Sequence, residues 1–269
     1  MIYTDQEKKQ IYNLKKEIID KCSLCKGIGY IKEKKCDCHI LFDFVKLLYI
    51  SKMKRKYWFM NLDQLKLETH IKIYINKYLS NLDNALNNCQ GFIFLGTNGV
   101  GKTSLMKIIG KQAIINQYKV FYISLKTILN NIFKEDELII ERLKESNLIL
   151  LDELDKVYWK NTDWIVSNLD EFLRTYLGDK SIIISSNFTE SGKEDSIEEN
   201  FGPSIYSLLK EYNKFLVIEG EDYRKKLDKE WLNRLTKENI DYNKLLSYAK
   251  EWNKNKLKIE KNEYDLVIE

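Results

Sequence analysis

The sequence predicts an α/β protein built on a parallel sheet with helices on both faces, and three features predict it. Short, fully apolar runs alternate with segments of helical spacing between residues 92 and 218, the pattern of strands buried on both faces. One run, Phe92-Ile93-Phe94-Leu95, leads straight into Gly96-Thr97-Asn98-Gly99-Val100-Gly101-Lys102-Thr103. That is a G-x-x-x-x-G-K-T phosphate loop with a strand before it and an amphipathic segment (Leu105, Ile108, Ile109, Ala113) after it. Another run, Leu148-Ile149-Leu150-Leu151, ends in two acids, Asp152 and Glu153.

The glycines let the loop backbone approach phosphates where a side chain would collide. Successive N–H groups and the following helix N-terminus supply positive potential. Lys102 is placed to reach the β- and γ-phosphates and the Thr103 hydroxyl to hold Mg²⁺. The expected nucleoside triphosphate site therefore runs from Gly96 through Thr97, Asn98, Gly99, Val100, Gly101, Lys102 and Thr103 to Ser104.

Length and composition frame this core. At 269 residues, 44% hydrophobic and 31% charged, the chain can hold one ATPase-sized core with small appendages. Net charge is +4, but residues 1–60 carry 14 Lys+Arg against 7 Asp+Glu, whereas residues 61–220 carry 18 against 22. The positive charge sits outside the nucleotide core, which permits a nucleic-acid contact and equally fits a solvated lysine-rich face. No apolar run has the length of a bilayer span, and MIYTDQEKKQ has no signal-peptide core. A cytoplasmic protein is expected.

Taken in order, residues 4–20 place Ile11, Leu14, Ile18 and Ile19 on one helical stripe. Four of the five cysteines follow within residues 22–38: Cys22-x-x-Cys25 on a glycine-containing knuckle, ten residues, then Cys36-Asp-Cys38-His39. In a reducing compartment this argues for metal rather than disulfides. Two thiolate pairs across a short hairpin, whose first strand is Tyr30-Ile31-Lys32, would close a tetrahedral Zn²⁺ site of structural type. An iron–sulfur cluster is the competing occupant, and His39 an alternative ligand. Cys89 reads as a core residue. Residues 41–60 form an apolar helix, then Lys52, Lys54, Arg55 and Lys56 beside Tyr57, Trp58 and Phe59. These aromatics either stack on single-stranded nucleic acid or pack inward while the lysines stay in water.

One helix is expected over residues 70–88. Past the loop, Val120–Ile123 is a second strand, residues 126–145 a helix, Leu148–Glu153 the third strand and Asp163–Tyr176 a helix. Ser181–Asn187 is the fourth strand and residues 189–200 a polar loop. Pro203 opens a helix to Tyr212, and Phe215–Ile218 is the fifth strand. Ligands in such sheets bind at the carboxyl ends of strands. There Asp152 would hold Mg²⁺ through its water shell, Glu153 would accept a proton from attacking water, and Asn187 would orient that water or touch the γ-phosphate. Arg174 and Arg224 are the candidates inside the core for stabilising the transferred phosphoryl group.

With these residues in place, the chain resembles the bacterial and phage replicative-helicase loaders of the DnaC/DnaI type, which are AAA+ ATPases. The resemblance is carried in order by CSLCKGIGYIKEKKCDCH, KYWFMNLDQLK, GFIFLGTNGVGKTSL, LILLDELDK, SIIISSN and FGPSIYSLLKEYNKFLVIEGEDYR, whose close is Gly220-Glu-Asp222-Tyr-Arg224. It implies an AAA+ core with sheet order 5-1-4-3-2, ATP-dependent self-association, and binding to a hexameric DnaB-type helicase. It also implies that the N-terminal region meets the helicase, that the core meets single-stranded DNA, and that Arg224 serves the nucleotide site. The implied division is residues 1–60, an ATPase core at 61–224 and an extension at 225–269.

Two departures stand out. Many relatives read Ser-Arg-Leu in the helix before the last strand, with that arginine acting on a neighbouring subunit's ATP; here it is Ser207-Leu208-Leu209, so that either Arg174, Lys210 or Arg224 substitutes or trans-activated hydrolysis is weak. The tail after Arg224, with amphipathic stretches at Trp231, Leu232, Leu235 and at Leu245, Leu246, Tyr248, is outside the family pattern. The expected function is ATP-dependent loading of the helicase onto DNA. The alternatives are an IstB-type transposition helper that binds duplex DNA, and a nucleotide-gated adaptor with little hydrolysis.

Overall fold

The structure, a computed structural model, describes residues 3–132, 136–155, 162–189, 192, 195–222 and 242–268. It divides into two compact units, one drawn from Met60–Gly110 and Val120–Glu238, the other from Met1–Phe59, Lys111–Lys119 and Asn239–Glu269.

In the smaller unit, Asp5–Lys15 forms α1, opened by a capping box in which the Thr4 side chain accepts from the Glu7 N–H and the Glu7 carboxylate from the Thr4 N–H. Tyr30–Ile31 and Lys34–Lys35 form the hairpin β1–β2. Its two linking residues, Lys32 and Glu33, have φ of 45° and 68°, the twist a two-residue hairpin turn demands. Asp37–Ile50 (α2) buries Phe44, Val45 and Leu48 completely. The helix Tyr242–Ile268 lies against α2 through Leu245, Ala249 and Trp252, the last with its ring 6.3 Å from that of Phe44. The expected helix at Leu245–Tyr248 is therefore present, whereas Trp231, Leu232 and Leu235 lie outside the described residues.

The basic and aromatic cluster resolves inward. Trp58, on the short α3 (Arg55–Trp58), is fully buried and donates to the Met53 carbonyl at 2.9 Å; Tyr57 is buried too. Lys52 pairs with the buried Glu7 at 2.6 Å and Arg55 with Glu17 at 3.0 Å. Tyr57 and Trp58 are therefore packing residues with no face free for a base.

Lys111 is buried in the same unit, donating to the Trp58 carbonyl at 3.3 Å and lying 4.1 Å from the Tyr248 ring centroid. Burial, then the charge of Lys244, brings its ammonium down to about 8. Because the folded value lies below the unfolded one, the unfolded chain binds the extra proton between about pH 8 and 10.5, and stability rises with pH across that window. Lys111→Met is expected to raise the melting temperature at pH 7, by up to about 3 kcal/mol of stability. The gain should shrink as the pH passes from 8 to 10.5; paired thermal melts at the two pH values check it.

In the larger unit, Thr69–Ser80 (α4) and Leu82–Asn87 (α5) replace the single helix expected over 70–88. Asn81 breaks it at φ −124°, ψ 35°, its side chain donating to the Lys77 carbonyl. The sheet comprises β3 (Gly91–Leu95), β4 (Val120–Ser124), β5 (Leu148–Asp152), β6 (Ser181–Ser185) and β7 (Asn213–Val217), in the order β4-β5-β6-β3-β7. Numbered along the chain from one to five, that is the expected 5-1-4-3-2, and all pairs are parallel. Every residue of β3, β5 and β6 is buried, as a central parallel sheet requires. Ile93, Ile149 and Ile182 pack in one core with Leu169 and Phe172 of α9 (Thr162–Tyr176) and Ile205 and Leu209 of α10 (Ile197–Tyr212).

Three expectations need correcting. Residues 126–145 form two helices, α7 (Leu125–Ile132) and α8 (Glu137–Glu145), because the Asp136 carboxylate caps a new start by accepting from the Leu138 and Ile139 N–H groups. The polar loop expected up to residue 200 ends earlier: Ser196 caps a helix at Ile197, and buried Ile197 and Phe201 anchor it. Gly202 (φ 86°) then kinks the chain, and Pro203 opens the second half as expected. The last strand begins two residues early, at Asn213, which pairs with Gly91. The helix after β3 is α6 (Lys102–Ile115), and Tyr242–Ile268 completes the series as α11.

Candidate functional site

The parallel register brings the chemistry together. Phe94 lies opposite Ser185, and the Ser186 N–H bonds the Phe94 carbonyl at 3.0 Å, so Asn187 leaves β6 beside the phosphate loop. Two glycines in that loop are conformational necessities. Gly96 (φ 136°) and Gly99 (φ 85°) sit where a Cβ would overlap the Ile218 carbonyl and the Asp222 carboxylate respectively. The closing G-x-D stretch thus delivers Asp222 against the loop.

Lys102 opens α6 and is nearly buried. Its ammonium donates to the carbonyls of Gly96 (2.6 Å) and Thr97 (2.7 Å) and to Asn187 Oδ1 (2.8 Å). Thr103 Oγ1 donates to the Asp152 carboxylate at 3.1–3.2 Å. Thr103 and Asp152 are thereby the pair able to hold a hard cation beside phosphates, an oxygen donor set that fits Mg²⁺. Val100 is buried under the loop, Thr97 and Asn98 are exposed, and Ser104 is half-buried on α6. Glu153 follows Asp152 but turns out of the strand with φ 60°; its side chain is exposed, and its N–H meets Ser185 Oγ at 3.4 Å.

Three residues escaped the sequence reading. Asp155 accepts from the Asn187 backbone N–H (2.8 Å) and side-chain amide (2.5 Å), aiming that amide group at Lys102. A signal existed in the third acid of Leu-Asp-Glu-Leu-Asp. Tyr122 on β4 donates to Asp152 Oδ2 at 2.6 Å, and Ser185 donates to Asp152 Oδ1. These partners belong to neighbouring strands, invisible to local spacing. Tyr122→Phe removes a hydrogen bond to a charged group, so Mg²⁺-dependent ATP turnover is expected to fall about tenfold with folding retained. Steady-state rates over a Mg²⁺ titration check this.

The candidate cations lie differently. Arg174 is exposed, bonding Asp170 at 2.8 Å and Ser204 at 3.1 Å. Lys210 lies over the Tyr206 ring, and Arg224 falls outside the described residues. Where relatives carry the Ser-Arg-Leu arginine, Leu208 packs against the sheet's apolar core.

In the smaller unit, the thiols of Cys22, Cys25, Cys36 and Cys38 lie within 4.8 Å of one another, with Cys22–Cys36 at 3.9 Å and Cys25–Cys38 at 3.4 Å. Tetrahedral Zn–S bonds of about 2.3 Å imply S···S edges of about 3.8 Å, so the group has the size for one metal ion. A multi-iron cluster would hold the sulfurs wider apart. Burial pushes the Cys25 thiol up, but the Gly29 N–H (3.1 Å) and the Cys38 and Cys22 sulfurs outweigh it and bring it down to about 7. Burial and the neighbouring thiols push Cys38 up. His39 stands outside the group, with its ring against Tyr30 (4.9 Å) and Nδ1 3.5 Å from the Asp43 carboxylate. Cys89 is a core residue donating to the Gly178 carbonyl. Among the described residues no helix is long and apolar enough to cross a membrane.

A phosphate loop at the end of the first strand of a 5-1-4-3-2 sheet, with an acid pair on the third strand and an asparagine after the fourth, defines a P-loop nucleoside triphosphatase. The profile of the ATPase family associated with various cellular activities (AAA) matches residues 92–238. The chain belongs to the AAA family, which implies ATP binding and hydrolysis. Among solved structures, a DnaC helicase loader superposes with a TM-score of 0.52 at 23% identity, over 62% of this chain and all of that one. DnaI gives 0.46 at 16% identity over 63% and 93% of the two chains, and domain III of the Thermotoga maritima replication initiation protein DnaA 0.46 at 18% over 70% and 81%. The DnaC likeness is one of fold. No curated protein matches the sequence.

Proposed function

We propose that the chain is an ATP-dependent loader of a hexameric DnaB-type replicative helicase, acting in the cytoplasm. The observation that carries the reading is an AAA unit with the fold of the DnaC helicase loader over the whole of that chain, in a protein that also carries a four-cysteine group of metal-binding size. Residues 1–60 serve as the helicase-contacting region, 61–224 as the ATPase core that meets single-stranded DNA, and 225–269 as an extension.

In this reading the loop residues Gly96 to Ser104 cradle the triphosphate, and Lys102 neutralises its terminal phosphates. Thr103 and Asp152 hold Mg²⁺, which shields the phosphate charge. Water attacks the γ-phosphorus, its proton passes to the Glu153 carboxylate, and the bond to the β-phosphate oxygen breaks to leave ADP and phosphate. Asn187, held by Asp155 beside Lys102, orients that water. Cys22, Cys25, Cys36 and Cys38 hold a structural Zn²⁺ with no open position for chemistry. ATP binding assembles protomers on DNA and hydrolysis releases them, so turnover is slow without partners. Co-purification with the cognate helicase tests this: association that depends on ATP is the expected result, and no association with or without ATP would overturn it.

One observation favours the adaptor reading. Leu208 packs into the core where relatives present a cation, and Arg174 is held by Asp170 and Ser204. An ATPase rate that stays at background in the presence of helicase and single-stranded DNA would select the adaptor; stimulation by them selects the loader.

A further inference from the structure

The strand ends opposite the phosphate loop carry a cavity of their own. It has a volume of about 550 Å³ and lies at the amino ends of β3 and β7, walled by α4 and the end of α10. β3 separates it from the loop by the strand's length, about 13 Å for four residue steps. None of the residues from Gly96 to Ser104 lines it, nor do Asp152, Glu153 and Asn187. A volume of 300–1,000 Å³ is that of a small-ligand pocket.

Its wall has a definite chemistry. Lys77, Lys210 and Lys214 line it with a single carboxylate, Glu211. Lys214 lies 5.4 Å from the centroid of Tyr74, a ring that is 44% exposed at the cavity rim. Such a wall selects an anion and offers an aromatic surface next to it. At the floor is Asn213, only 7% exposed. Its Nδ2 donates to the Leu209 carbonyl at 3.2 Å, but its Oδ1 is buried with no hydrogen-bond partner. That oxygen lies beside Gly91, where a Cβ would collide with it.

We propose that the cavity bounded by Lys77, Lys210, Lys214, Tyr74 and Asn213 is a second nucleotide-binding site, separate from the phosphate loop. The lysines take the phosphate and Tyr74 packs against the base. A free mononucleotide and one residue of a single strand share this chemistry. The site does not depend on the loader reading, because it contains no phosphate-loop residue and none of Asp152, Glu153 and Asn187.

The test uses the full chain carrying Lys102→Ala, which disables the phosphate loop and leaves the cavity open to the probe. Equilibrium dialysis then measures radiolabelled dAMP and a labelled short oligodeoxyadenylate. At least one probe is expected to bind. The paired change Lys77→Glu and Lys214→Glu should weaken it by about tenfold or more, and Tyr74→Ala by about fivefold or more. All three positions are exposed on the surface, and an unchanged thermal melt shows that the variants are folded. Binding of dAMP identifies a free nucleotide as the source; binding of the oligomer without dAMP identifies a strand. The proposal is overturned if neither probe binds, if the variants bind within about twofold of the parent, or if pyrophosphate displaces the probe and Tyr74→Ala is without effect, which would make the cavity an anion site only.

Discussion

Glu153→Gln is expected to slow ATP hydrolysis by about 10²–10⁴-fold while leaving ATP affinity within a factor of about three. The asymmetry follows from where the side chain sits. Lys102 is tied to the loop carbonyls of Gly96 and Thr97 and to Asn187, and Thr103 to Asp152, and none of those bonds involves the Glu153 carboxylate. Glu153 leaves β5 in a left-handed conformation (φ 60°) that costs a non-glycine residue about 1–3 kcal/mol. Its N–H donates to Asp152 Oδ1 and Ser185 Oγ, and its side chain is exposed. Glutamine keeps the shape and would remove the proposed base. Turnover measured beside binding of a non-hydrolysable analogue checks both halves. A variant that keeps more than about a tenth of the rate would remove Glu153 from the role of base.

Metal removal is the second large effect. The four thiols gather the segment after α1, the knuckle at Gly29 and the start of α2 around one point. A structural Zn²⁺ in small domains contributes about 10–16 kcal/mol of apparent binding energy to folding. Chelation, or Cys25→Ser with Cys36→Ser, is therefore expected to unfold this part of the smaller unit at temperatures where the loaded protein is folded. Calorimetry should then show a low-temperature transition that zinc restores in the chelated chain and fails to restore in the variant. Protein purified without chelators should carry about one equivalent of zinc, and less than about half an equivalent would count against the site.

The strands were legible because they are buried on both faces. Phe92–Leu95, Leu148–Leu151 and Ile182–Ile184 contain only apolar residues, and a run of that kind between glycines and acids has few other uses. Boundaries were less so. The break at Asn81 and the fresh start at Asp136 each depend on one side-chain hydrogen bond, to Lys77 and from Leu138, which competes with helical periodicity and leaves it unchanged in sequence. Ile197 sits in a polar stretch that reads as loop, and its burial, with that of Phe201 just beyond, makes the stretch helical.

What the sequence determined by itself is the chemistry that one segment can carry alone: the phosphate loop, whose glycines, lysine and threonine lie within eight residues, and the four cysteines within seventeen. Tertiary structure decided everything that needs two strands at once. Asp152 receives Tyr122 from one neighbouring strand and Ser185 from the other, and Asn187 is steered by Asp155 onto Lys102, eighty-five residues away. The pairing of Phe94 with Ser185 sets that meeting. Registers of parallel strands are fixed by packing both sheet faces against helices, a global condition that local spacing does not encode.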